Sequence, residues 1–123
     1  MTRYPSVADV RATHRKLIER FGGASGVRDE AALEAAVARP RTGYYADLID
    51  EAAALWESLS QNHPFIDGNK RVAVTVAVAF LRVNGVRLQF DDPDAYRFMI
   101  DLYEGGDFTR DRLAKWLRGA ASA

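Results

Sequence analysis

Apolar residues recur every three to four positions along most of this chain, and each stretch is bracketed by residues that start and stop helices. The first stripe is Val7, Val10, Leu17, Ile18 and Phe21, with Ser6 as cap, Asp9 three residues on, and Gly22-Gly23 as the stop. A second helix runs from a cap at Asp29 through Leu33 and Val37. It must stop near Arg39-Pro40, because the residue before proline avoids the helical region. Arg41-Thr42-Gly43-Tyr44-Tyr45 then reads as a loop or short hairpin. A third helix starts at about Asp47 and carries Leu48, Ile49, Ala52, Leu55, Trp56 and Leu59 on one side. From Val72 to Leu81 there is no charge and one hydroxyl, the pattern of a buried helix, which Asn84-Gly85 stops. Val86-Arg87-Leu88-Gln89-Phe90 alternates like a short strand. Asp92-Pro93 opens a fifth helix bearing Phe98, Met99 and Leu102, and Gly105-Gly106 closes it. Thr109 caps a sixth, through Leu113, Trp116 and Leu117. The pattern predicts one all-α domain over residues 1–123, with about six helices around a buried central helix and a frayed tail at 119–123.

Composition narrows the function classes. With 48% hydrophobic residues in 123, the chain can build a core without staples. A net charge of zero offers no basic surface, so general nucleic-acid binding is not expected. The absence of cysteine removes disulfides, thiolate metal sites and a cysteine nucleophile together. The start Met1-Thr2-Arg3-Tyr4-Pro5 has no apolar signal core, and the run from Val72 to Leu81 is far short of the roughly 20 residues that span a bilayer. A cytoplasmic protein without a membrane partner is the expectation.

The chemistry is concentrated in His63-Pro64-Phe65-Ile66-Asp67-Gly68-Asn69-Lys70-Arg71, which joins the third helix to the apolar run. A helix start carries unpaired N–H groups and a positive dipole end, so a cation there is disfavoured by ~0.3–1 kcal/mol. Lys70 and Arg71 sit there nonetheless, beside a glycine that lets the backbone approach closely. A polyanion would neutralise both; ion pairing with acidic neighbours is the plainer alternative. His63 is a candidate base or a structural histidine, Asp67 a helix cap or a metal ligand, and Asn69 an amide cap or a phosphate donor. Phe65 and Ile66 read as plugs that fix the turn, and His14 as structural.

These nine residues resemble the signature HPF-x-[D/E]-G-N-G-R of the Fic/Doc superfamily at eight of nine positions. The Phe21-Gly22-Gly23 helix end, Leu81-Arg82-x-Asn84-Gly85-Val86 and the length are similar to the Doc branch. Lys70 stands where Fic adenylyltransferases have a second glycine and Doc toxins have lysine; Pro64 and Gly68 match the Fic pattern, and Doc toxins often have alanine in place of Gly68. A lysine fills the space that a glycine leaves for phosphate, and the Doc resemblance implies an inverted ATP that presents its γ-phosphate to the target hydroxyl. It implies a toxin kinase in which His63 is the base, Asp67 holds Mg²⁺, and Gly68, Asn69, Lys70 and Arg71 bind the phosphates. The same resemblance implies phosphorylation of a Ser or Thr of a translation factor, elongation factor Tu being the family's best-known target. It places a target-clamping flap at Gly43-Tyr44-Tyr45. No S/T-x-x-x-E-G/N inhibitory pattern is present, so restraint is expected from an antitoxin with a disordered tail. AMP transfer is the enzymatic alternative. A catalytically weak corepressor is another, since Thr75 stands where some Doc relatives have asparagine.

Overall fold

The computed structural model describes residues 1–106 and 108–121. Its helices are α1 (Val7–Phe21), α2 (Glu30–Ala38), α3 (Leu48–Gln61), α4 (Asn69–Val83), α5 (Asp92–Gly105) and α6 (Arg110–Ala121). The caps are those that the side chains dictate. Ser6 and Asp9 close a full capping box on α1, while Asp29, Asp47 and Asp91 each accept a backbone N–H at the start of α2, α3 and α5.

α3 lies at the centre, packed against α4 on one side and α6 on the other. Every residue from Ala52 to Trp56 is buried, because an alanine-rich helix lets neighbours approach on several sides. α4 buries Val72, Ala73, Val76, Ala77, Phe80 and Leu81 against it. At the far end of α4, the Asn84 amide exchanges hydrogen bonds with the backbone of Arg3, 2.8 Å each way, and so ties down the N-terminal segment. α5 is attached by rings: Phe98 stacks on Trp116 of α6, and Tyr103 stacks on Phe108.

Two expectations change, and one open alternative is decided. Val86–Phe90 forms no strand: Leu88 is buried and Val86 and Phe90 pack on the core, but among the described residues no second strand lies alongside to complete a ladder, and the Gln89 N–H donates to the Ala120 carbonyl instead, 3.0 Å. That contact also removes part of the frayed tail. α6 continues through Ala121 with Ala120 buried, so Gly119–Ala121 are helical, and residues 122–123 lie outside the described residues. The segment after α2 is a 3₁₀ turn, Arg39–Thr42, followed by a loop rather than a hairpin. The Arg39 Nε donates to the Tyr45 hydroxyl at 2.6 Å, and the Arg110 guanidinium lies over the rings of Tyr44 and Tyr45, which holds this loop against α3 and α6.

Candidate active site

α3 ends at Gln61, and the chain reverses through His63, whose φ of +48° is left-handed, an uncommon conformation for a residue with a Cβ. The carbonyls released at this helix end face the segment after α1. The Arg28 Nε and Nη2 donate to the His63 carbonyl at 2.9 and 2.6 Å, and the backbone N–H groups of Arg28 and Asp29 donate to the Pro64 carbonyl at 2.8 and 3.0 Å. Next comes Phe65, 1% exposed, which plugs the turn into the core and forms an isolated antiparallel bridge with Val27. Both ends of the Asn69 amide close on the Phe65 backbone: Oδ1 accepts its N–H at 2.9 Å and Nδ2 donates to its carbonyl at 3.0 Å. Asn69 therefore braces the loop from the first turn of α4, which satisfies backbone groups that the tight turn would otherwise leave unpaired.

Asp67 is held from α1. His14 is buried and stacks flat on Phe65, ring centroids 3.8 Å apart, and its Nε2 lies 2.7 Å from the Asp67 carbonyl. A carbonyl only accepts, so Nε2 carries the proton and donates. The Asp67 side chain is no helix cap, since Gly68 holds that position with φ +76°. Instead its Oδ1 accepts from the Gly68 N–H at 2.8 Å and its Oδ2 from the Ala24 N–H at 3.2 Å. Gly23 makes that approach possible: a Cβ on it would stand 2.7 Å from Oδ2.

Lys70 and Arg71 are both exposed in the first turn of α4, whose N–H groups carry no side-chain cap. No described acidic residue pairs with either one. The Lys70 Nζ lies 4.5 Å from the centroid of Tyr103 on α5, and the Arg71 guanidinium 4.4 Å from that of Phe21 at the end of α1. A cation over a ring gains ~0.5–1 kcal/mol at exposed sites, comparable to the dipole penalty it offsets. Both charges stay available to an anion. Burial pushes the Tyr103 phenol up, with its hydrogen bond to Ser60, 2.9 Å, acting the other way.

The six predicted site residues thus share one loop and helix start, but they face different ways. His63 and Lys70 open onto an irregular cleft of about 320 Å³ with Gln61, Tyr103 and Phe108, whereas Arg71 turns toward α1. The sequence reading missed Arg28, Phe21 and Tyr103 as neighbours of the site, and it gave His14 no specific partner. Nothing in their local pattern marks them, because each reaches the loop from another element.

The model of the Fic/DOC family matches residues 4–81, from before α1 into α4 and across the whole loop. The chain belongs to this family. Within the Fic/DOC family it is 43% identical over 109 residues to Toxin Doc of Mycolicibacterium smegmatis (strain ATCC 700084 / mc(2)155), with 84% of each chain covered. It is also 36% identical over 123 residues to Protein kinase doc of Escherichia phage P1, with 94% of each covered. Those relatives extend the likeness of this Fic/DOC chain past the family model into α5 and α6. Among the described residues, no helix is long and apolar enough to cross a membrane.

Proposed function

We propose that this Fic/DOC protein is the cytoplasmic toxin of a toxin–antitoxin pair and a protein kinase. It transfers the γ-phosphate of ATP to a Ser or Thr hydroxyl of a translation factor, with elongation factor Tu as the first candidate, and so stops translation. The observation that carries this reading is that Lys70 and His63 line one cleft, and that Lys70 stands where the Fic signature has glycine. Similarity to a relative named a protein kinase supports it.

The chemistry needs little covalent work from the protein. The imidazole of His63, which no described residue hydrogen-bonds, takes the proton of the target hydroxyl. That oxygen bonds to the γ-phosphorus as the bond to the β,γ-bridging oxygen breaks, and ADP leaves with its electrons. General-base assistance of this kind contributes ~10²–10⁴ in rate. Lys70, Arg71 and the uncapped N–H groups of α4 neutralise the phosphoryl oxygens. Asp67 fits Mg²⁺: it is exposed, each carboxylate oxygen accepts a single hydrogen bond and keeps a lone pair, and Mg²⁺ takes one or two carboxylates with phosphates. When bound there, Mg²⁺ supplies further neutralisation of phosphate charge. Restraint comes from an antitoxin whose disordered tail folds on the toxin.

The test is label transfer to purified elongation factor Tu and to whole-cell lysate, with γ-labelled and α-labelled ATP side by side, for wild type and His63→Ala. Label from the γ position alone, lost in the variant, is the expected result. Pro64 and Gly68, which match the Fic pattern, favour a second reading, AMP transfer, and label from the α position would establish it. Absence of both labels would turn the reading toward a corepressor that acts with its antitoxin.

A further inference from the structure

We propose that Arg28 is the positioning residue for His63, an inference that rests on His63 being the base of the reaction above. Its guanidinium turns one edge to the His63 carbonyl, with Nε at 2.9 Å and Nη2 at 2.6 Å, and Nη2 also reaches the Asn62 carbonyl at 3.3 Å. These are carbonyls at the end of α3, where helical partners run out and the dipole is negative, so a cation satisfies them in charge as well as in hydrogen bonding.

His63 needs such a hold. Left-handed backbone persists at a residue with a Cβ only where the surroundings over-determine it. Its imidazole has no partner among the described residues, so the place of the ring is set through the backbone that Arg28 grips. Arg28 is itself fixed along its main chain. Val27 bridges Phe65, the N–H groups of Arg28 and Asp29 both donate to the Pro64 carbonyl, and the Asp29 side chain caps α2 through the Ala32 N–H at 3.0 Å. The start of α2, the arginine and the catalytic turn thus close one ring of hydrogen bonds. Arg28 does not line the cleft that His63 and Lys70 share, so it acts on the reaction only through His63. Lysine offers a point charge without two coplanar donors, and it replaces arginine incompletely at such a contact.

The chain has two histidines, His14 and His63, which makes the ring readable by NMR of the imidazole C–H groups, with His63→Ala for assignment. In Arg28→Ala the His63 signal should shift or broaden while the His14 signal stays, and guanidinium ions below denaturing concentration should restore it in part. In γ-label transfer to elongation factor Tu, kcat should fall about 10²-fold, as for a ~1 Å misplacement, with the KM for ATP unchanged, and Arg28→Lys should recover only part of the loss. An unmoved His63 signal, the two histidines moving together, or an unchanged kcat would overturn the proposal. If wild type transfers no label, the kinase reading fails, and the NMR arm still decides whether Arg28 positions His63.

Discussion

The two flanks of the loop that carries His63 and Asp67 are built differently. On the flank toward α1 and residues 22–29, Arg28, Asp29 and His14 donate to carbonyls of the loop, the Gly26 carbonyl accepts from the Ile66 N–H, and a ring stacks on Phe65. On the flank toward α5, Lys70 lies over the Tyr103 ring, the Tyr103 and Ser60 hydroxyls share a hydrogen bond, and the Gln61 side chain donates to the Phe108 carbonyl. Main-chain hydrogen bonds are directional and fix atoms to a few tenths of an ångström, whereas a cation over a ring tolerates lateral movement. His63 and Asp67 therefore sit on the flank whose main chain is held, and Lys70 sits where its contact tolerates movement.

Substitutions can break this contrast from either side. The largest effect is expected from His63→Ala, which should lower label transfer by ~10²–10⁴ while nucleotide binding stays near wild type; normal turnover in a folded variant would remove His63 from the chemistry. Phe65→Ala should cost about 3–5 kcal/mol in urea unfolding, because it empties a fully buried site on which the rigid flank is built. A loss below about 1 kcal/mol would mean that the hydrogen bonds hold the loop without the plug. Gly23→Ala places a Cβ 2.7 Å from the Asp67 carboxylate at φ +109°, and should destabilise the fold by about 1–3 kcal/mol and weaken Mg²⁺-dependent ATP binding together. On the other flank, Tyr103→Leu should raise the KM for ATP about 2- to 5-fold, from the ~0.5–1 kcal/mol of a cation over a ring, and Tyr103→Phe should not. An equal change in both variants would assign the effect to the Ser60 hydrogen bond instead.

The smallest effect is a control away from the loop. Arg118 beside Asp47 holds that carboxyl below its ordinary range, helped by the Asp50 N–H. A depressed carboxylate contributes stability that is complete above its unfolded pKa and disappears as pH falls through the folded value. Both side chains are about half exposed, 47% and 48%, so screening limits the pair to about 0.5 kcal/mol. Asp47→Asn, which keeps the helix cap, should therefore lose slightly less stability than wild type on acidification in urea melts, with label transfer at neutral pH unchanged.

The helices were legible in the sequence because their signals are local. Ser6 with Asp9, Asp29, Asp47 and Gly106 act on N–H and C=O groups within a turn of themselves, so reading the chain one element at a time finds them. The alternation at Val86–Phe90 misled for the complementary reason: a strand needs a partner, and none of these residues carries information about whether one lies alongside. At the site the division is similar. Spacing alone put His63, Asp67, Gly68, Asn69, Lys70 and Arg71 into one turn and helix start, and the structure keeps them there. What only the tertiary structure decided is which groups hold that turn and where its charges point: Arg28 on the His63 carbonyl, His14 on the Asp67 carbonyl, Lys70 toward Tyr103 and Arg71 toward Phe21. Those contacts join residues 33 to 53 positions apart, and no periodicity or cap within a helix can encode a direction that depends on how three helices pack.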